Sequence, residues 1–348
     1  METVWFCLVA IMIALYVVLD GFDLGAGSIH LLVAKTEEER RLVIRSIGPV
    51  WDGNEVWLLA AGGTLYFAFP VLYASAFSGF YLPLMIVLWL LILRGISIEF
   101  REQVASPVWF KFWDVVFAGA SLLLAVFYGA ALGNVVRGVP LDAKGYFFEA
   151  LWTNFRLGTH TGILDWYTVL VGLGALLTLN LHGALWLAMK TEGPVHERAR
   201  KFARRVWWDV LVFTIVVTVV TFRVQPHVPA NLSEHPWGYV FPLLALAGLA
   251  GTAWWMLGED DLKSFLASCV YILGMLTSVV FGLYPLVLPA GSNPAYALTI
   301  NNAQAGEYGL RVGLLWWTVG MIFAVGYFVY VYRHFAGKVR LESGEEGY

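Results

Sequence analysis

The sequence predicts an all-α polytopic membrane protein of nine transmembrane helices, and three observations carry that expectation. Of its residues, 59% are hydrophobic and only 14% charged, at a mean hydropathy of +0.70, which is more than a water-soluble domain needs to fill its core. Nine stretches approach the ~20 mostly apolar residues that cross a bilayer as a helix. The basic residues between those stretches gather on alternate sides, as Lys and Arg do when they stay with the cytoplasm.

Taken in order, the predicted crossings are 3–33, 49–69, 72–100, 113–135, 162–189, 206–225, 237–257, 265–288 and 310–334. The first enters its apolar run at Val4 with no basic region or small-residue cleavage site, so it is expected to be a retained helix and not a signal peptide. The second is the least apolar: it opens with Pro49, Trp51, Asp52, Asn54 and Glu55, and leaving it at the surface would give eight crossings. Loop charge decides between the two counts. With nine crossings, one side collects sixteen Lys and Arg, in the groups around Arg40, Arg101, Lys201, Lys263 and Lys338, and the other only Arg137, Lys144, Arg156, Arg223 and Arg311. Eight crossings would put Arg40 and Lys201 on opposite sides. The expectation is therefore an N-terminus outside and a C-terminus in the cytoplasm. The connection 136–161 then lies outside, along the bilayer surface, and the polar tail 338–348 frays. Trp5, Trp113, Trp207, Trp208 and Trp237 sit near helix ends, as an aromatic belt does.

Composition also excludes function classes. A net charge of -3 offers no basic field for nucleic acid. Cys7 and Cys269 are the only cysteines and both lie in apolar runs, which rules out a disulfide framework, a CxxC pair, a c-type haem attachment and a thiolate cluster. No HxxE, HExxH or nucleotide-loop spacing occurs, so no catalytic metal is expected on this chain.

An ionised side chain inside a bilayer costs about 2.5–3.5 kcal/mol on insertion scales, so each one is a functional candidate until a partner is found. The first four predicted helices hold Asp20, Asp23, Asp52, Glu55, Arg94, Glu99 and Asp114. Tyr16, Asp20, Asp23, Gly27 and His30 follow one another at helical steps of four and three, on one stripe that must face protein or water. Gly21 and Gly25 form a small-residue pair on the other face, suited to close approach of a second helix. Asp52, Glu55, Gly62 and Tyr66 share a side of the second helix, and Asp52 sits after Pro49 where the helix dipole favours a carboxylate. Arg94 and Glu99 are about 140° apart around the third helix, so Arg94 needs a counter-charge elsewhere, with Asp23 and Asp114 the candidates. The predicted topology puts Asp23, Asp52, Arg94, Glu99 and Asp114 in the cytoplasmic half of the membrane, as the mouth of a proton or cation pathway would be. The alternative is an ion-pair network that only fixes helix register. Of seven histidines, only His182 and His30 are expected at depth, and a single buried histidine is more often a satisfied structural donor than an axial ligand, so no haem is expected on this chain.

These residues match a known pattern. The runs Asp20-Gly-Phe-Asp-Leu-Gly25, Trp51-Asp-Gly-Asn-Glu-Val-Trp57, Phe69-Pro70 followed by Ser78-Gly-Phe-Tyr81, and Arg94-Gly-Ile-Ser-Ile-Glu-Phe-Arg101 resemble the signature stretches of subunit II of cytochrome bd quinol oxidases. The match is specific over the first third of the chain and rests on hydropathy and loop charge beyond it. The resemblance implies two four-helix bundles, 1–135 and 162–288, with residues 289–337 a loop and a peripheral last helix. It further implies a bacterial inner-membrane complex that oxidises quinol and reduces oxygen to water. Haems b and d then sit in a partner, subunit I, and this chain carries none. The resemblance places Asp20 and Asp23 on the two acids of the family's DGFD stretch and Asp52 at a candidate proton entrance; with the positional reading above, the expected proton-path residues are Asp20, Asp23, Asp52, Glu55 and Glu99, and the expected buried ion-pair group is Arg94, Asp23 and Asp114. Some members hold a structural quinone in this subunit, and some complexes add small single-helix subunits; no motif here reports either. An autonomous proton- or cation-coupled transporter is the competing class, although helices five to nine lack counterparts of the acids in helices one to four.

Overall fold

The computed structural model describes residues 1–158 and 161–339, so the predicted tail from 340 onward, and residues 159 and 160 of the long connection, lie outside the described residues. The chain runs α1 (Glu2–Val33), α2 (Glu37–Ile47), α3 (Trp51–Ala68), α4 (Pro70–Gly79), α5 (Tyr81–Phe100), α6 (Pro107–Arg137), α7 (Trp166–Lys190), α8 (Gly193–Val224), α9 (His227–Glu234), α10 (Val240–Leu257), α11 (Asp261–Leu283), a short antiparallel pair β1 (Leu286–Leu288) and β2 (Leu298–Thr299), and α12 (Glu307–His334).

Among the described residues, eight helical stretches are long and apolar enough to cross a membrane: α1, α5, α6, α7, α8, α10, α11 and α12. The second predicted crossing, now α3, is not among them, because Asp52, Asn54 and Glu55 crowd its first turns. The third predicted crossing divides into α4 and α5 at Phe80, whose φ of -94° and ψ of 23° leave the helix. Pro83 explains the break, since it has no N–H to give the carbonyl of Gly79. The short helices α2 and α9 and the β1–β2 pair are additional to the predicted set, and α8 is longer than its predicted crossing. α2 is amphipathic and opens on a capping box in which Thr36 and Glu39 satisfy each other's backbone. The basic stretch before Trp207 is also helical, part of α8, with Arg198 paired to Glu39 at 2.5 Å and Arg200 to Asp261 at 3.1 Å. The eighth crossing ends early, at Leu283, and the residues after Pro285 form β1.

α1 is central: it packs on α3, α6 and α7, while α7 also meets α8 and α11, and α10 pairs with α11. Its glycine face makes the closest of these approaches. A Cβ on Gly25 would stand 1.9 Å from the carbonyl oxygen of Leu179, and one on Gly183 would stand 2.2 Å from the nitrogen of Ala26. Hydrogen in place of a side chain is therefore what lets α1 and α7 touch backbone to backbone. Phe22 stacks on Trp186 beside this seam, with ring centroids 3.8 Å apart.

The connection between α6 and α7 is tied to the helix ends by side-chain contacts. Arg137, at the end of α6, donates to Asn134 Oδ1 and Glu149 Oε1, both at 2.7 Å, and pairs with Asp165. Thr161 donates to the same Glu149 oxygen at 2.7 Å. Asp165 caps α7 through the backbone nitrogens of Tyr167 and Thr168. Glu149 is buried, and burial pushes its carboxyl above the ordinary value of 4.5, with the Arg137 charge and the Thr161 hydrogen bond pulling part of the way back.

Two outcomes follow from this packing. Gly25→Ala is expected to lower the thermal stability of the purified protein by the equivalent of about 1–3 kcal/mol or more, the cost of overpacking; an unchanged melting temperature would show that the seam is loose. Because the folded pKa of Glu149 lies above its ordinary 4.5, its contribution is complete below that value and is lost as pH rises through the folded value. Melting temperatures measured from about pH 4 to pH 8 should therefore fall less for Glu149→Gln than for the unmodified chain, and parallel curves would refute this.

Candidate functional site

Two buried ionic groups stand in the first half of the chain. The deeper one is built on α1, α3 and α5. Arg94 lies over the interior face of α5 with none of its surface exposed, as do Asp20 and Asp23 on α1. Its two terminal nitrogens grip both oxygens of Asp20, Nη1 at 2.9 Å from Oδ2 and Nη2 on Oδ1. This two-point geometry is the strongest form of a carboxylate–guanidinium contact. Glu55 Oε2 approaches Nη1 at 3.8 Å from the partly exposed side.

Asp23, one turn along α1, has no ion-pair partner among the described residues. Asn54 Nδ2 donates to its Oδ2 at 2.8 Å and to the carbonyl of Leu19 at 3.2 Å, and Tyr332 on α12 donates to Asn54 Oδ1 at 2.8 Å. The other oxygen of Asp23, Oδ1, is buried without a hydrogen-bond partner among the described residues. On the opposite side of Asp20, Tyr16 donates to Tyr128 at 2.9 Å. Arg94 is thus shared by Asp20 and Glu55, and Asp23 beside them keeps an unmatched oxygen. Such an oxygen can take a proton without breaking an existing bond, whereas both oxygens of Asp20 are committed to the guanidinium.

The second group centres on Asp114 of α6. Arg101 Nε reaches its Oδ1 at 2.7 Å, Arg40 Nη1 its Oδ2 at 3.2 Å and His30 Nε2 its Oδ1 at 2.9 Å. Arg101 also holds Glu37 at 2.7 Å. Asp114 is saturated, and its partners come from α1, α2 and the turn after α5, which suits a clamp on helix ends.

Several expectations change here. Arg94 pairs with Asp20, not with Asp23 or Asp114: Arg101, seven residues further along, stands on nearly the same face but ~10 Å away, and it is at that level that Asp114 finds its charge. Glu99 and Asp52 are exposed on the chain taken alone and do not join either group. For Glu99 the cause is its angle from Arg94; once Arg94 turns inward toward α1, Glu99 faces out. Asp52 lies on the far side of α3 from buried Asn54, and Gly62, Gly63 and Tyr66 along α3 also border open space. The predicted stripe on α1 is buried throughout, with Gly27 against Ser121. His182 uses both ring nitrogens within the protein, Nδ1 with Ser268 Oγ at 2.7 Å and Nε2 with the Val18 carbonyl at 2.9 Å, leaving none for iron. Among the described residues, no three His, Cys, Asp or Glu side chains converge on a metal position.

Residues the sequence reading left out are Arg101, Arg40, Asn54 and Tyr332. The seven-residue step from Arg94 is a usable signal for Arg101. Tyr332 has none, since its partner lies 278 residues away.

Removing one member of a buried pair leaves the other charge stranded. Arg94→Gln alone is expected to cost about 3–5 kcal/mol, read as loss of folded protein in the membrane and a lower melting temperature. Arg94→Gln combined with Asp20→Asn should recover much of that loss. Additive damage in the double variant would show that the two groups do not interact.

Comparison with known proteins bears on the whole chain. A family model described as cytochrome bd terminal oxidase subunit II matches residues 1–335. A probable cytochrome oxidase subunit 2 from Haemophilus influenzae is 30% identical over 97% of this chain and 94% of its own length. A cytochrome bd ubiquinol oxidase subunit 2 from Bacillus subtilis is 30% identical over 97% of each. The solved bd oxidase of Geobacillus thermodenitrificans contains a chain of the same fold, with a TM-score of 0.73 at 18% identity, covering 96% of this chain and 98% of that one. With the buried Asp20–Arg94 tie and its neighbouring acids in place on a fold shared end to end, this chain belongs to the subunit II family of cytochrome bd terminal oxidases.

Proposed function

We propose that this subunit scaffolds a haem-bearing subunit I and conducts protons from the cytoplasm toward it, in a complex that oxidises quinol and reduces oxygen to water. Membership of the family replaces the autonomous-transporter alternative. The observation that carries the proton reading is the imbalance around Arg94: Asp20 and Glu55 share its guanidinium, while Asp23, one turn along α1, is held only by an amide and keeps Oδ1 buried without a donor among the described residues. Insertion of unmatched charge at depth is costly, which favours a place where a proton is held and passed on.

The reading takes nine crossings, with α3 the ninth, an outside N-terminus and a cytoplasmic C-terminus; the sixteen-to-five division of basic residues supports it. It places the Asp114 clamp and the Asp23 group toward the cytoplasm. Two four-helix units plus the peripheral α12 complete the proposed arrangement, with the exposed face bearing Asp52 and Glu99 turned to the partner. In this reading the haems reside in subunit I, which agrees with the full engagement of His182. A quinone within this subunit plays no part in the steps described. Asp114, already saturated, serves register and not transfer.

In an assembled, fully haem-loaded complex, Asp23→Asn is expected to lower oxygen uptake per haem by about tenfold or more, the scale of a lost acid–base group, and Asp52→Asn or Glu99→Gln should lower it as well. Normal turnover in all three would remove the proton claim. Absorption spectra of this chain purified with and without its partner should show haem only with the partner.

A further inference from the structure

At the corner where α2, α7 and α12 meet lies a cavity of about 180 Å³, walled by Arg45, Ser46, Val50, Trp186, Lys190 and Tyr332. A water needs roughly 10–15 Å³ of such space, so several fit. Lys190 does not fill it, because its ammonium donates to the carbonyls of Phe335 at 2.6 Å and Gly337 at 3.1 Å, just past the end of α12, and lies 5.3 Å from the Trp186 ring. The wall that matters is Tyr332. Its hydroxyl donates to Asn54 Oδ1, and the amide nitrogen of Asn54 donates to Asp23. Two side chains therefore separate the cavity from Asp23, whose second oxygen is buried and has no hydrogen-bond partner among the described residues. An oxygen in that state is where a water or an arriving proton belongs.

We propose that this cavity is the cytoplasmic water vestibule of Asp23, and that Tyr332 and Asn54 form the seal between them. The inference rests on the proton-delivery reading and gives it an entrance distinct from the exposed Asp52. A carboxamide does not pass protons on, so transfer requires the seal to part. When the Tyr332 hydroxyl leaves Asn54, water from the vestibule reaches Asp23, a hydronium gives its proton to the carboxylate and a neutral water remains. α12 meets the rest of the chain largely through side chains: only Leu310 of its 28 residues is fully buried. A helix so lightly held is suited to carry the moving half of such a seal.

The test uses the assembled, haem-loaded complex with Cys7 and Cys269 replaced by Ala and Val50→Cys placed in the cavity wall. A charged, membrane-impermeant methanethiosulfonate is applied to sealed vesicles of each orientation, and quinol-driven oxygen uptake is compared before and after modification of the same variant. The thiol should react from the cytoplasmic face only, and modification should slow uptake by about tenfold. Tyr332→Phe, which keeps the ring and removes the hydroxyl, should also alter uptake per haem several-fold. Asp23→Asn serves as the control. If Asp23→Asn turns over at full rate, the delivery reading fails and the vestibule with it. If Asp23→Asn is slow while modified Val50→Cys works normally, reacts only from the other face or does not react, the vestibule is overturned and delivery stands.

Discussion

Burying a guanidinium among apolar helices is tolerable only when a carboxylate meets it with good geometry, and here that meeting is the two-point contact of Arg94 with Asp20. The contact joins α5 to α1 across the interior, so it fixes both the rotation and the height of α5 against the central helix. Everything else in the deeper group depends on it. With Asp20 committed, Asp23 is left to the Asn54 amide, which Tyr332 on the far helix α12 holds in turn, and Glu55 is held at the edge. Like charges crowded this closely would repel one another without the arginine; with it, they form a set in which one member can change its proton without unbinding its neighbours.

The small-residue seam does the complementary work. Gly25 and Gly183 bring α1 and α7 into backbone contact, which sets the plane on which the charged stripe of α1 can face α3, α5 and α6. A bulky residue there would separate the helices and open the polar interior to lipid, where an unpaired group has nothing to bond. Close packing on one side of α1 and charge pairing on the other are thus two halves of one arrangement. The Asp114 clamp anchors the same helices at their ends, drawing on α1, α2, α6 and the turn after α5.

Much of this was legible in the residues. The helical steps among Tyr16, Asp20, Asp23, Gly27 and His30 define a buried stripe, and the Gly21 and Gly25 spacing marks a close contact. Both are properties of a single helix and need no knowledge of its neighbours. Partner choice was not legible. Asp23 and Asp114 are as plausible as Asp20 for Arg94 when only the sequence is in view, because nothing local states the relative height of two helices. Glu99 and Asp52 illustrate the same limit: periodicity says which residues share a face, but the face that turns inward depends on what packs there. The break at Phe80 and the exclusion of α3 from the most apolar helices come from Pro83 and from Asp52, Asn54 and Glu55, signals that a hydropathy average smooths over.

What the sequence determined by itself is the class of molecule and its supply of buried charge, because hydropathy and helical period are read along one strand of covalent bonds. What only the tertiary structure decided is the pairing: Asp20 for Arg94, Arg101 and Arg40 for Asp114, Tyr332 for Asn54. Those contacts join residues from 13 to 278 positions apart, and each is set by the height and rotation at which packed helices settle. Both quantities follow from the whole set of interfaces at once, which no local stretch of residues contains.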